Sequence, residues 1–186
     1  MTATMALDLL RHGDTGRRSY RGQLDDPLSV RGWSQVRAAV AGHAWDRIVS
    51  SPLQRCAAFA RELAVQRNIP LAMDERLAEY HFGDWQGVPI EALAARDAGA
   101  LERFWADPLA HPPPDSEGMP AFRLRVCAVL DDIAARAETA RVLVVTHGGV
   151  IRMLRCVAER RPLREMVEIE VPNGSLHPLA WPMPTT

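Results

Sequence analysis

Residues 141–149 read Arg-Val-Leu-Val-Val-Thr-His-Gly-Gly. Val142 to Val145 form an unbroken apolar run, which predicts a strand buried on both faces rather than one lying half in water. Strands of that kind belong to parallel sheets covered by helices on either side, and the rest of the chain supplies its partners. Met5–Leu10 (MALDLL) is a second short apolar run, ending at Arg11-His12-Gly13. Arg47–Ser50 (RIVS) is a third, followed by Ser51-Pro52-Leu53-Gln54-Arg55, and Ile69–Met73 is a fourth. Helices are expected from an N-cap at Ser29 to Gly42, from Pro52 to about Arg67, over Ile90–Trp105, over Ala121–Thr139 and from Val150 to about Glu159. Met166–Val171 and Ser175–Ala180 read as closing strands around a Pro172-Asn173-Gly174 turn. Strands alternating with helices predict an α/β fold, a three-layer α/β/α sandwich around a mostly parallel sheet. Asp74–Gly87 reads as an irregular surface segment. Asp107–Pro120, with Pro at 108, 112, 113, 114 and 120, is expected to be a lid or insertion rather than a linker, so residues 1–186 are expected to form one domain.

Composition excludes several chemistries. All 22 Lys+Arg residues are Arg, so a P-loop nucleotidase, a pyridoxal enzyme and an aspartyl-phosphate phosphatase that relies on Lys all lack their essential residue. A net charge of -1 gives no field that would draw the chain to nucleic acid or an anionic membrane. Cys56, Cys127 and Cys156 form no Cys-x-x-Cys pair, and no Cys is followed by Arg at the spacing of a cysteine phosphatase loop. The opening MTATMALDLL lacks a basic segment, and its apolar run is too short for a secretion signal or a membrane span, so the cytoplasm is the expected location.

Open α/β sheets bind ligands at the carboxyl ends of their strands. Two strand ends here carry His-Gly, at His12-Gly13 and His147-Gly148, and a third leads into Arg55. If those strands are neighbours, Arg11, His12, Arg55 and His147 converge at one edge. Two guanidiniums there make an anion site suited to phosphate, and the helix after Gly149 points its free N–H groups at the same place. Burial beside permanent cations would keep an imidazole neutral and nucleophilic. Transfer of a phosphoryl group onto that nitrogen also needs an acid for the leaving oxygen, and Glu75, Glu79 and Asp84 are the candidates nearby.

These residues resemble a known pattern. Leu10-Arg11-His12-Gly13-Asp14-Thr15 is similar to the signature of the histidine phosphatase superfamily, in its phosphoglycerate mutase-like branch. Leu28-Ser29-Val30-Arg31-Gly32, Ser51-Pro52-Leu53-Gln54-Arg55-Cys56, Leu77–Gly87 and Thr146–Arg152 resemble its later blocks in the same order. The resemblance implies a phosphoglycerate mutase-like fold, with His12 as the phosphorylated nucleophile. It makes Arg11, Arg55 and His147, with Gly148 beside them, the phosphate holders, and Glu79 the proton donor. It implies no metal and no organic cofactor, and its partner is a small phosphate ester; a homodimer is left open. Members usually carry an Asn soon after the first His, but here the stretch is Gly16-Arg17-Arg18-Ser19. Arg17, Arg18 or Arg21 is therefore expected to replace that contact or to grip a second substrate charge.

The short chain favours hydrolysis over mutase chemistry. Leu77–Trp85, a Pro-rich loop and Glu117-Gly118 are similar to alpha-ribazole phosphatases, which implies alpha-ribazole 5'-phosphate or adenosylcobalamin 5'-phosphate as substrate. A broad small-molecule phosphatase, a phosphoglycerate mutase and a non-catalytic phosphate-binding module are the alternatives. Trp85, Phe104, Trp105 and Met119 could line a pocket for a flat base, with core packing as the competing role.

Overall fold

A computed structural model describes residues 4–136 and 140–182. Five strands form one sheet: β1 (Thr4–Arg11), β2 (Arg47–Ser50), β3 (Leu71–Met73), β4 (Val142–Thr146) and β5 (Leu176–Pro182), in the order β3-β2-β4-β1-β5. The first four run parallel, and β5 closes the β1 edge antiparallel. The run that predicted a doubly buried strand is one, since every residue of β4 is buried. Its side chains alternate between two cores, as the pleat requires. Val142 and Val144 join Leu7, Leu9 and Val49 on one face, against α5 (Met119–Arg136) and α6 (Gly148–Ala158). Leu143 and Val145 join Leu10 and Ile48 on the other, against α1 (Val30–Ala39) and α2 (Gln54–Arg67). This is the expected three-layer sandwich.

The differences from the sequence reading have local causes. Ile90–Trp105 is two helices, α3 (Ile90–Arg96) and α4 (Ala100–Ala106), because the Asp97 carboxylate accepts the Gly99 N–H at 3.0 Å and turns the chain between them. Met166–Val171 is not a strand. Leu163–Glu168 is a short 3-10 helix that buries Met166 and exposes Val167, and Ile169, just past its end, is buried again. Helix α2 begins at Gln54, two residues after Pro52, and the expected helical end at 137–139 lies outside the described residues. The Pro-rich segment is fastened at its carboxyl half: the Pro114 carbonyl accepts from Asp84 N at 3.0 Å, and Ser116 Oγ accepts from the Tyr80 hydroxyl at 2.9 Å. No helix among the described residues is long and apolar enough to cross a membrane.

The loop after β1 is locked onto the start of α1. Ser29 caps the helix by accepting the Gly32 N–H at 3.0 Å and donates its hydroxyl to Asp14 Oδ2 at 2.8 Å. Gly32 packs so closely that a Cβ there would overlap the Asp14 carbonyl oxygen, which is backbone and has no rotamer to yield. Gly32→Ala is therefore expected to cost about 1–3 kcal/mol of unfolding free energy by overpacking, measured by urea denaturation; an unchanged midpoint would show that the loop gives way freely.

Candidate active site

The register places Arg11 opposite Thr146, and His12 N donates to the Thr146 carbonyl at 2.9 Å. The next residue on each strand is a histidine, and the two imidazole centroids lie 5.2 Å apart. Ser51 N donates to the Val145 carbonyl at 3.0 Å, so the end of β2 flanks β4 and delivers Arg55 on the first turn of α2. Arg11, His12 and Arg55 thus meet at one sheet edge, lining a cleft of about 200 Å³. Gly148, Gly149, Glu79 and Arg21 also line it.

His12 is 8% exposed, and its Nδ1 lies 2.7 Å from the Gly13 carbonyl. A carbonyl only accepts, so Nδ1 carries the proton and Nε2 keeps its lone pair. Burial, reinforced by the Arg55 charge, pulls the His12 pKa down to about 3. Arg55 is 1% exposed. It donates from Nη1 to the Leu24 carbonyl at 2.7 Å, from Nη2 to the Gly22 carbonyl at 2.5 Å, and from Nε to His147 Nδ1 at 3.2 Å. That uses three of its five N–H donors and leaves one on each terminal nitrogen. Arg11 bonds the Val171 carbonyl through Nη1, and its buried Nε has no partner.

His147 is fully buried and stands behind the cleft rather than in its lining. Since Arg55 Nε must donate, His147 Nδ1 accepts, and the ring proton sits on Nε2 facing Ser51 Oγ at 2.8 Å. Burial, then the Arg55 charge, holds its pKa well below the ordinary imidazole value. Cys56 packs against the same ring, and burial pushes its thiol up to about 12, which makes it inert.

Of the three acids considered, Glu79 alone lines the cleft, while Glu75 and Asp84 are exposed outside it. Glu79 accepts from Tyr80 N at 2.9 Å and from Gly149 N, in the first turn of α6, at 3.0 Å. Gly149 permits that contact, because a Cβ there would overlap Glu79 Oε1.

Arg21 lies in the lining but is gripped by Asp26, with Nε to Oδ2 at 2.6 Å and Nη2 to Oδ1 at 3.0 Å. Arg17 also reaches the lining, whereas Arg18 is exposed and stands outside it. Trp85, Phe104 and Met119 are buried in the core, which leaves Trp105 to join Tyr20 and Phe82 as an aromatic wall. Trp105 Nε1 donates to the Tyr20 hydroxyl at 2.7 Å. Tyr20, Asn173 and Arg152, all in the lining, are not among the site residues expected from the sequence. Arg152, one helical turn after Gly148, carried the one available signal. Among the described residues, none of Arg11, Arg55 and Arg152 is ion-paired with a carboxylate, and no group of three His, Cys, Asp or Glu is placed to hold a metal ion.

A family model for the histidine phosphatase superfamily (branch 1) matches residues 7–182. The chain belongs to that superfamily. Proteins similar to it include the adenosylcobalamin/alpha-ribazole phosphatase of Salmonella typhimurium, 29% identical over 91% of this chain and 87% of that protein. The structure of a mycobacterial glucosyl-3-phosphoglycerate phosphatase superposes with a TM-score of 0.85 at 27% identity, covering 96% of this chain and 91% of that one. A bifunctional protein of Mycobacterium tuberculosis is 38% identical over 78% of this chain, which spans 42% of that longer protein. The phosphoglycerate mutase-like α/β fold expected from the sequence is the fold observed.

The depressed His12 pKa has a measurable sign. The folded value lies below the ordinary 6.5, so the unfolded chain binds more protons between pH 6.5 and about 3. Stability present above pH 6.5 is lost as pH falls through that window, at about 1.4 kcal/mol per pH unit for this one group. Between about pH 6.5 and about pH 5 the wild type should lose about 2 kcal/mol more than His12→Gln in urea unfolding. Equal losses would mean that His12 does not resist protonation.

Proposed function

We propose that this chain is a phosphomonoesterase that works through a phosphohistidine at His12. The observation that carries the reading is the His12 tautomer: Nδ1–H is engaged by the Gly13 carbonyl, which leaves Nε2 its lone pair on a ring that shares the cleft lining with Arg11 and Arg55. Arg11 and the two free N–H groups of Arg55 take the phosphate oxygens, and the N-terminus of α6 adds its positive dipole. Nε2 attacks phosphorus and the ester P–O bond breaks. As the ring acquires positive charge, Nδ1–H bonds the Gly13 carbonyl more strongly. Glu79 gives its proton to the departing alkoxide. Its carboxylate then takes a proton from the water that attacks phosphorus, the N–P bond breaks, and inorganic phosphate leaves with Nε2 restored. In this scheme His147 aims the Arg55 fork from behind, through the Nε–Nδ1 contact.

For the ester we keep alpha-ribazole 5'-phosphate, supported by the Salmonella relative's name and by the wall of Tyr20, Phe82 and Trp105, which offers a flat face to a base. A cleft of about 200 Å³ takes a phosphate and its sugar, and the remainder of a larger ester such as adenosylcobalamin 5'-phosphate would stand in the mouth. A second reading, an ester bearing a carboxylate, is favoured by Arg152, whose guanidinium faces the cleft without an acidic partner. The cytoplasm is the proposed compartment, where free thiols such as Cys56 and Cys156 persist.

Acid-quenched turnover with labelled substrate should leave label on His12, and folded His12→Ala should neither label nor turn over; full turnover by that variant would refute the scheme. Rates of phosphate release from alpha-ribazole 5'-phosphate, 3-phosphoglycerate and glycerol phosphate separate the ester readings. Preference for ribazole phosphate in kcat/KM supports the first, and preference for phosphoglycerate over its carboxylate-free counterpart supports the second. Isomerisation of phosphoglycerate without phosphate release would make the chain a mutase. Glu79→Gln should lower kcat/KM for glycerol phosphate by about 100-fold or more, and for p-nitrophenyl phosphate by less than about 10-fold, because an aryloxide leaves without full protonation.

A further inference from the structure

Arg125, in α5, lies outside the cleft, yet all five of its N–H donors are engaged and every acceptor lies around the segment that carries Glu79. Nη1 donates to the carbonyls of Arg76 at 2.6 Å and Ala78 at 2.7 Å. Nη2 donates to the Glu79 carbonyl at 3.0 Å and to Glu117 Oε1 at 2.7 Å, and Nε donates to Glu117 Oε2 at 2.8 Å. Glu117 Oε1 also accepts the His81 N–H at 2.7 Å. The pair therefore grips backbone at 76, 78, 79 and 81, on both sides of the acid. Arg125 and Glu117 are 21% and 17% exposed, which shields the pair from solvent competition. The Glu79 carboxyl is held on one side by Tyr80 N, which belongs to the gripped segment, and on the other by Gly149 N in α6, so moving that segment would draw the carboxyl off its place against α6.

We propose that Arg125, clamped by Glu117, is a positioning residue that sets where the Glu79 carboxyl stands relative to the leaving oxygen. The proposal rests on the reading of Glu79 as proton donor. Only a guanidinium can do this, because five donors in one plane reach three carbonyls and a carboxylate together, whereas an ammonium offers three donors from one point. Proton transfer needs heavy atoms within about 3 Å, and a displacement of about 1 Å at a reacting group costs on the order of 100-fold. A residue that merely stabilised the fold would affect every substrate alike. One that places the acid affects substrates in proportion to their need for a proton.

The test compares kcat/KM for glycerol phosphate and p-nitrophenyl phosphate in wild type, Arg125→Lys, Glu79→Gln and the double variant. The inhibition constant of vanadate and the melting temperature report the phosphate site and the fold. Arg125→Lys is expected to lose about 10- to 100-fold on glycerol phosphate and no more than about 3-fold on p-nitrophenyl phosphate. In the Glu79→Gln background it should cost glycerol phosphate no further activity, since the group it positions is gone. Glu117→Gln, which keeps the side chain's shape and loosens the clamp, should show the same asymmetry to a smaller degree and serves if the Lys variant does not fold. Equal losses on both esters, losses additive with Glu79→Gln, or no loss on either would overturn the proposal. Glu79→Gln losing both esters equally would instead remove Glu79 as the acid, and the positioning role with it.

Discussion

The whole site depends on one backbone register. Strands β1 and β4 run parallel with Arg11 opposite Thr146, and the His12 N–H reaches the Thr146 carbonyl just as both strands end. Because the pleat alternates, moving either strand by one residue would send Leu9 and Val144 to the face of Leu10 and Val145, and would turn the histidine that follows to the other side. The two cores forbid such a slip. Leu7, Leu9, Val142 and Val144 are packed against α5 and α6, while Leu10, Leu143 and Val145 are packed against α1 and α2. The hydrophobic partition that makes the sandwich is thus the same constraint that brings two imidazoles within 5.2 Å.

The parts of this arrangement legible in the sequence are those encoded by adjacent residues. An unbroken Val142–Val145 run announces burial on both faces, and a His-Gly step after two such runs announces a strand-end site. What escaped depends on distant backbone. Arg152 closes the second His block in the sequence, but its place in the cleft shows only once Gly148 is seen to leave its guanidinium beside that of Arg11. Arg125 and Glu117 are eight residues apart and resemble a solvated pair, because the carbonyls at 76, 78 and 79 that complete the cluster carry no side-chain signature. Arg21 was legible as a cleft residue but not as a neutralised one, since Asp26 declares itself only once the loop has folded. Met166–Val171 misled because apolar residues in a short span satisfy either period: Met166 and Ile169 are buried three apart and Ile169 and Val171 two apart, and the backbone coils only as far as Glu168.

Two effects act on the paired imidazoles in the same direction. Burial alone disfavours an imidazolium, and Arg55, which never loses its proton, disfavours it again. For His147 the hydrogen bond completes the logic. Arg55 Nε can only donate, so the ring must accept at Nδ1, which an imidazolium cannot do. Ser51 then receives the remaining ring proton, and Arg55 is aimed by a partner whose own charge state it enforces. Charge and tautomer are settled by packing alone, which on the proposed scheme would remove one source of reorganisation from the chemical step.

The same arrangement works against the stability of the unliganded fold. Arg11 keeps a buried Nε with no acceptor, and burial lowers its pKa. Arg11, Arg55 and Arg152 repel one another in a cleft where no carboxylate pairs with them among the described residues. A phosphate dianion answers both defects at once, giving acceptors to stranded donors and negative charge to crowded guanidiniums. On the proposed reading, unpaired donors and like charges around a neutral imidazole are what a phosphoryl-transfer site would show before it is filled, and the two tightly packed cores are what allow the fold to tolerate them.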